Sequence, residues 1–277
     1  MLKNNAEGVR LKTDNYMTIL DEITDNKRIE LVEMKKVLSL DEIKEGANYS
    51  RTCFSLKDSL LNSKTGIISE FKRRSPSKGD IHKGINPEEV VPLYEEHGAS
   101  GVSCLADNKY FGGSYKDVMK ARECLKRTPL LFKEFTVDPY QLHLAKYSGA
   151  DVVLLIAACL EVSQCQELAD EAHSLGLQCI LEVHTEDELS HYSQYIDIVG
   201  VNNRNLKIFK TDIQNSINLA KNLPSEAVKI SESGISNPAT VIELRKHGFN
   251  GFLMGENFMK EQNPGLALRD FIAAVSR

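Results

Sequence analysis

The sequence has no tryptophan and lacks the residue spacings typical of metal sites, disulfide frameworks and membrane segments. Its six cysteines include no CxxC pair and its seven histidines no HExxH spacing, so neither zinc nor a disulfide framework is predicted. The longest apolar run, Val152 to Leu160, is about half the ~20 residues that span a bilayer, and the amino terminus lacks the layout of a secretory signal. We therefore expect a cytoplasmic protein with no membrane segment and no metal.

The charge balance argues against a nucleic-acid partner. The net charge over 277 residues is -5, whereas proteins that bind nucleic acids normally present a basic face. One basic cluster is present, and it is too short to follow a duplex but well sized for one small anion; its members are Lys72, Arg73, Arg74 and Lys78. We therefore expect a small-molecule partner and no nucleic acid.

From Gly66 onward the sequence repeats one pattern, in which a short aliphatic or β-branched run is followed by a turn and an amphipathic helical stretch. Eight runs fit, and they begin at residues 67, 101, 129, 151, 178, 197, 227 and 251. The helical patterns cover Pro87–His97, Tyr115–Lys126, Pro139–Tyr147, Ser163–Leu175, Glu186–Tyr195, Ile213–Asn222, Pro238–His247 and Leu266–Val275. Eight such units predict an α/β fold, a (β/α)8 TIM barrel. An open, doubly wound sheet is the main alternative, but the glycine-rich first turn typical of it is absent after Phe71.

The first 65 residues do not fit this repeat. Apolar residues recur at helical spacing over Tyr16–Val37 and over Tyr49–Leu61, which predicts two or three helices that cover one end of the barrel. Residues 1–14 are polar and aperiodic, and we expect a disordered tail there. The predicted organisation is this tail, a helical extension over residues 15–65, and a barrel over residues 66–277 that forms a single domain with the extension.

Two charged residues stand where the first predicted strand ends. Side chains alternate between the faces of a strand, so Ile68, Glu70 and Lys72 are expected to share one face. Burying two charges costs several kcal/mol per ion unless they are paired, so this carboxylate and ammonium form either a structural ion pair or part of a functional site.

Polar residues at the ends of the other strands favour the functional interpretation, because the active sites of (β/α)8 barrels lie at the carboxyl ends of the strands. The strand-end candidates beyond the first pair are Lys133 after strand 3, Glu182 after strand 5, Asn202 and Arg204 after strand 6, and Glu232 and Ser233 after strand 7. Strand 4, in contrast, stays apolar through Ile156. The residues collected at one end predict an active site.

Small residues after strands 7 and 8 predict a phosphate site. Ser233-Gly234 and Gly255-Glu256 allow backbone N–H groups to approach an anion, and phosphate sites recur at this position in the fold. The alternative is that these glycines only make tight turns. The carboxylate of Glu256 would have to turn away from a bound phosphate.

The strand-end segments, taken together, resemble the indole-3-glycerol phosphate synthase family, whose members are lyases of tryptophan biosynthesis. The segments are, in order, SEFKRRSPSKG, LFKEFTVDPYQ, GADVVLLIAACL, LEVH, GVNNRNL, SESGI and FLMGENFM. The similarity runs from about Met17 to the carboxyl terminus. ILDEI near residue 20 also resembles the family's amino-terminal helical extension, which covers the barrel mouth.

The resemblance implies ring closure of 1-(2-carboxyphenylamino)-1-deoxyribulose 5-phosphate with loss of carbon dioxide and water, without a cofactor. It implies that Lys133 protonates the ketone oxygen, that Lys72 holds the carboxylate, and that Glu182 and Glu70 move protons. Residues that resemble the family's other contacts are Asn202 and Arg204 for the sugar and aromatic parts, Glu232 and Ser233 beside them, and Ser75, Gly234, Gly255 and the backbone of Glu256 for phosphate. We expect a monomer.

The sequence departs from the family pattern at two positions, where Glu134 replaces the usual aspartate and Ala106 a common threonine. Neither removes a group with an implied chemical role. Two other functions remain open: an aldolase that forms a Schiff base at Lys133, and a barrel that only senses phosphorylated metabolites. The isomerase of the same pathway would require a cysteine and an aspartate as its acid/base pair, and strand 1 offers neither.

Overall fold

A closed barrel of eight parallel strands forms the body of the protein in a computed structural model that describes residues 18–205 and 210–276. Each strand pairs with the next along the chain, and the last pairs with the first. The strands are β1 (Ile67–Phe71), β2 (Gly101–Leu105), β3 (Leu130–Lys133), β4 (Val152–Ile156), β5 (Gln178–Val183), β6 (Ile198–Asn202), β7 (Val228–Glu232) and β8 (Gly251–Met254). The predicted (β/α)8 barrel is confirmed, and the open sheet is excluded. The predicted disordered tail at 1–14 lies outside the described residues.

Helices surround the barrel, and several begin at a residue whose side chain caps the first turn. The Asp138 side chain accepts from Tyr140 N, and that of Asn237 from Ala239 N, in each case before a first-turn proline. The helices are α1 (Ile19–Val37), α2 (Leu40–Lys44), α3 (Leu56–Leu61), α4 (Pro87–Glu96), α5 (Tyr115–Cys124), α6 (Pro139–Tyr147), α7 (Val162–Ser174), α8 (Gln214–Leu219), α9 (Pro238–Lys246), α10 (Glu256–Met259) and α11 (Pro264–Val275). In the described part of the chain, none is long and apolar enough to cross a bilayer.

The helix predicted over Glu186–Tyr195 is wrong, because the segment holds only a short 3-10 turn at Asp187–His191. The His191 ring bonds the carbonyls of Glu188 and Leu160 at 3.0 Å each, and it ties the turn to the neighbouring loop. Tyr192 then adopts extended backbone. Side chains that bond to the nearby backbone compete with helix formation, which explains why the apolar spacing misled.

The predicted helix over Tyr49–Leu61 is shorter than expected and closes the amino-terminal end of the barrel. The helix α3 begins at Leu56, where the amide donates to Gln178 Oε1 at 2.7 Å, at the start of β5. Leu56 and Leu60 are fully buried in the cluster that fills the barrel interior. The helix α1 lies at the opposite end, where Leu20 lines the barrel mouth. The expectation that these helices cover one barrel end is therefore wrong, since they lie at both.

Alternation along the strands decides which side chains enter the barrel. Ile68 belongs to the interior cluster, whereas Ile67 and Phe71 pack in the layer between the strands and the outer helices. Glu70 and Lys72 follow Ile68 on the inward face and line the mouth. The face shared by Ile68, Glu70 and Lys72 is therefore the one that the sequence predicts.

Candidate active site

A cavity of about 400 Å³ opens at the carboxyl ends of the barrel strands. Most of the residues predicted for the site line it, and these are Glu70, Lys72, Lys133, Glu182, Asn202, Arg204, Glu232, Ser233, Gly234, Gly255 and Glu256. Ser75 is the exception, since it is buried in a short hairpin that pairs Arg74–Ser75 with Gly79–Asp80 and is absent from the cavity lining. The barrel thus collects residues that lie up to 186 positions apart (from 70 to 256) into one cavity.

The Lys133 ammonium lies between two carboxylates inside this cavity. Its Nζ donates to Glu182 Oε2 and to Glu232 Oε2, each at 3.0 Å. The three side chains are 14%, 5% and 2% exposed respectively, so the ion pairs are shielded from solvent. Lys133 ends β3 and the two glutamates belong to β5 and β7, so the lysine reaches across the barrel axis rather than to a neighbouring strand.

The charges around Lys133 determine its protonation state. Burial alone would favour the neutral amine, but Glu182 and Glu232 outweigh this effect and raise the pKa of Lys133 well above its ordinary value. Lys133 is therefore an ammonium at neutral pH. A fixed ammonium in a buried site can stabilise negative charge that develops beside it, and its protonated state disfavours the neutral amine that a Schiff base requires.

The two glutamates differ in environment, and their pKa values move apart. Glu182 also accepts from Asn202 Nδ2 at 2.9 Å and has His184 Nε2 at 3.6 Å. Against burial, Lys133, His184 and Asn202 lower the pKa of Glu182 to about 2. For Glu232, burial outweighs Lys133, and Glu182 adds repulsion, so its pKa rises to about 7. Such a pair provides one ionised and one protonatable carboxyl group.

Glycine at two positions leaves space for the side chains of Glu70 and Glu232. A Cβ at Gly255 would lie 2.6 Å from Glu70 Oε1, and a Cβ at Gly200 would lie 2.5 Å from Glu232 Oε1. Glu70 itself forms an ion pair with Lys72 at 2.6 Å between Oε1 and Nζ. Gly200 was missed by sequence reasoning, because its importance comes only from the side chain of the adjacent strand.

The turn after β7 has unusual backbone. Ser233 has a φ of 68°, the one positive value outside glycine in the described chain, and Gly234 follows with 73°. A left-handed non-glycine residue costs about 1–2 kcal/mol, and such residues concentrate at functional sites. Asn203 Nδ2 donates to the Ser233 carbonyl at 3.1 Å and holds the turn. Ser233 and Gly234 thus form a fixed corner of the cavity.

Cations and polar groups line the rim near this corner. Lys78 and Lys260 line the cavity together with Ser236 and Asn257. The Glu256 carboxylate lies 3.4 Å from Lys78 Nζ, so the side chain already has a cationic partner. Arg204 Nη1 donates to Ser77 Oγ at 3.0 Å and links the loop after β6 to the hairpin. Lys260 and Ser236 were missed because they lie beyond the strand ends.

An apolar wall completes the cavity on the side of β3 and α1. Phe111 and Phe135 contact each other with ring centroids 5.9 Å apart, and both line the cavity with Leu20 and Ile156. Sequence reasoning named none of the wall residues except Ile156, although Phe135 alternates with Lys133 and could have been assigned to the same face. In the described residues, no group of three or more His, Cys, Asp or Glu side chains is arranged to hold a metal ion.

Fold and site together define a barrel enzyme that works by acid–base chemistry. The family model for indole-3-glycerol phosphate synthase matches residues 20–271. A protein of that name from Bacteroides thetaiotaomicron is 51% identical, over 93% of this chain and 98% of the relative. Another from Salinibacter ruber is 40% identical, over 91% of this chain and 94% of the relative. The chain belongs to the indole-3-glycerol phosphate synthase family, whose members are carboxy-lyases of tryptophan biosynthesis.

Solved structures similar to the chain bear on the fold alone. A mutant tryptophan synthase alpha-subunit from the hyperthermophile Pyrococcus furiosus aligns with a TM-score of 0.57 at 15% identity, over 76% of this chain and 97% of that one. A 3-hexulose-6-phosphate synthase from Salmonella typhimurium aligns with a TM-score of 0.58 at 14% identity, over 76% of this chain and 98% of that one.

Proposed function

We propose that the chain closes the ring of 1-(2-carboxyphenylamino)-1-deoxyribulose 5-phosphate, with loss of carbon dioxide and water, to give indole-3-glycerol phosphate. The observation that carries this proposal is the Lys133 ammonium, held at 3.0 Å from each of two buried carboxylates in the cavity. Ring closure places negative charge on the ketone oxygen as the aromatic carbon attacks the carbonyl carbon. A fixed cation in a water-poor cavity stabilises that charge and delivers the proton.

Lys72 holds the carboxylate of the substrate until carbon dioxide leaves. Its present partner is Glu70, at 2.6 Å, and its side chain is 16% exposed. A substrate carboxylate would join this pair, so that one ammonium bridges two anions. When the carboxylate leaves as carbon dioxide, the electron pair of the broken carbon–carbon bond restores the aromatic ring, and the Lys72 ammonium is again paired with Glu70 alone.

Glu182 and Glu70 serve as the acid/base pair for dehydration. The hydroxyl group formed from the ketone must leave as water, and the proton on the neighbouring carbon must be taken by a base. Glu182 has a lowered pKa and is ionised at neutral pH, so it is unprotonated when the reaction begins. Glu232, the other carboxylate paired with Lys133, holds that ammonium in place.

Substrate binding divides between the two sides of the cavity. Phe111 and Phe135 would contact the aromatic ring, while the phosphate would bind beside Gly234, Gly255 and the backbone of Glu256. Ser233, Asn202 and Arg204 also line the cavity and suit contacts to the sugar hydroxyls and to the aromatic side of the substrate. A contact from Ser75 to the phosphate would require the hairpin to move, and it stays a prediction.

A Schiff-base aldolase is the second candidate, and the charges at Lys133 weigh against it. The flanking carboxylates raise the pKa of Lys133, so the neutral nucleophilic amine is scarce. Borohydride treatment with a ketose phosphate provides the test. A covalent adduct at Lys133 would overturn the lyase assignment, whereas an unmodified lysine supports it.

We assign residues 15–65 to a helical extension that forms a single domain with the barrel over 66–277. We also assign the protein to the cytoplasm and expect a monomer without a cofactor. Size-exclusion chromatography with light scattering tests the oligomeric state.

Fluorescence tests the proposed reaction directly. The chain has no tryptophan, so indole-type emission that grows with time comes from the product and not from the protein. We expect this emission when the purified chain meets the substrate without added metal or cofactor. A chain that binds the substrate without turnover would instead be a sensor of phosphorylated metabolites.

A further inference from the structure

A buried lysine on α1 contacts three carboxylates at the edge of the cavity. Lys27 is 4% exposed, and its Nζ lies 2.6 Å from Glu30, 3.0 Å from Asp107 and 3.1 Å from Glu134. Asp107 follows β2, and Glu134 directly follows Lys133 at the end of β3. Lys27 does not line the cavity, so its role must pass through the groups that it contacts.

One of these carboxylates holds the backbone that carries Phe111. Asp107 is fully buried, and its Oδ1 accepts from Tyr110 N at 2.7 Å and from Phe111 N at 3.2 Å. Its Oδ2 faces the Lys27 ammonium at 3.0 Å. One oxygen of the Asp107 carboxylate thus binds the loop amides and the other faces Lys27. The amide of Phe111 is therefore held in place relative to α1.

The other carboxylate holds the second aromatic residue in the same way. Glu134 Oε1 accepts from Phe135 N at 2.8 Å, while its Oε2 accepts from Lys27 Nζ at 3.1 Å. Asp107 and Glu134 therefore face a common cation, and without it two buried carboxylates would repel each other. Burial, with Asp107 adding to it and Lys27 opposing it, raises the pKa of Glu134 to about 7. The repulsion in this group is relieved mainly by the ammonium.

From this geometry we infer that Lys27 is a positioning residue for the aromatic wall of the active site. Lys27 positions Phe111 through Asp107 and Phe135 through Glu134. The amino-terminal helix therefore fixes the part of the cavity that receives the substrate's aryl ring. The inference rests on the proposed function, since the aryl ring belongs to the proposed substrate.

Replacing Lys27 by methionine tests the inference, with Lys35→Met as the matched control. Lys35 also joins α1 to the barrel, but at the surface: it pairs with Asp138 at 2.7 Å with 44% of its side chain exposed. We expect Lys27→Met to raise KM about tenfold with kcat changed by less than about threefold, because wall contacts act on bound substrate and transition state alike. Lys35→Met should leave KM and kcat near their wild-type values. Lys27→Arg should have a KM close to that of the wild type.

Two competitive inhibitors separate positioning from general loosening. Anthranilate probes the aryl side and inorganic phosphate the opposite side of the cavity. In Lys27→Met, the inhibition constant of anthranilate should rise about tenfold while that of phosphate stays within about twofold. An unchanged KM, or equal weakening of both inhibitors, would overturn the inference. If Lys27→Met does not fold, Asp107→Asn provides the same comparison, since it keeps the amide contacts but removes the charge.

The outcomes for the reaction and for Lys27 are distinguishable. If the wild-type chain shows no turnover, the proposed function fails, and the inhibitor comparison can still be made by direct binding. If the wild-type chain turns over and Lys27→Met matches it in KM and in both inhibition constants, only the role of Lys27 fails.

Discussion

The Lys133 ammonium contacts the Glu232 carboxylate at 3.0 Å, although Glu232 is 2% exposed and its other oxygen has no hydrogen-bond partner among the described residues. A half-satisfied buried carboxylate keeps its proton to higher pH than an exposed one. Its pKa of about 7 in the fold, against 4.5 ordinarily, means that the folded chain binds the extra proton between these values. The contribution of Glu232 to stability therefore falls as pH rises from 4.5 to 7.

Glu232→Gln should remove this dependence, since the amide stays neutral at every pH. Relative to wild type, the variant should gain on the order of 3 kcal/mol in free energy of unfolding between about pH 4.5 and about pH 8. Urea unfolding at both pH values measures the difference. Glu226→Gln is the control, because that carboxylate is exposed and its own backbone and Ser225 lower its pKa, so little change is expected in this range. A pH-independent difference for Glu232→Gln would contradict the account.

We expect Gly255 to affect kcat through the position of the Glu70 carboxylate. Alanine there would place its Cβ 2.6 Å from Glu70 Oε1 and 3.1 Å from Glu70 Cβ, so the carboxylate oxygen that pairs with Lys72 must shift. We predict that Gly255→Ala lowers kcat by about tenfold, as small displacements of catalytic groups do. A double-mutant cycle checks the route: in a Glu70→Ala background, Gly255→Ala should add little. Equal losses in both backgrounds would show that Gly255 acts independently of Glu70.

Leu60 tests the importance of α3 for the barrel. Its side chain is 2% exposed in the interior cluster, whereas the neighbouring Leu61 is 54% exposed. Leu60→Ala should cost about 2–5 kcal/mol in free energy of unfolding, and Leu61→Ala within about 0.5 kcal/mol. Thermal or chemical unfolding of the two variants provides the comparison. Similar values for both would mean that α3 does not seal the barrel.

The sequence predicted the barrel and the residues of its mouth because both follow from local rules. Strand alternation placed Glu70 and Lys72 on the face of Ile68, and the structure confirms this face. The repeat of eight units then required closure, and closure brought the strand ends together. The sequence indicated that the strand ends would meet, but it did not indicate which side chains would contact each other there.

Other features depended on contacts distant in the chain. Lys27 meets Glu134 across 107 positions, which no periodicity reveals. The helix predicted over Glu186–Tyr195 failed because His191 bonds backbone carbonyls instead of leaving the turn free to extend. Ser75 could not be assigned from a motif alone, since its exposure depends on a two-strand hairpin that buries it.

Turnover of Lys133→Met, followed by the indole-type emission of the product, tests the central claim most directly. We predict a loss of kcat of about 10²-fold or more, as expected when a general acid is removed. Lys229→Met is the matched control, because Lys229 also lies in a strand but its ammonium contacts the Ala220 carbonyl, away from the cavity. Near-wild-type turnover in Lys133→Met, or an equal loss in Lys229→Met, would contradict the role assigned to Lys133.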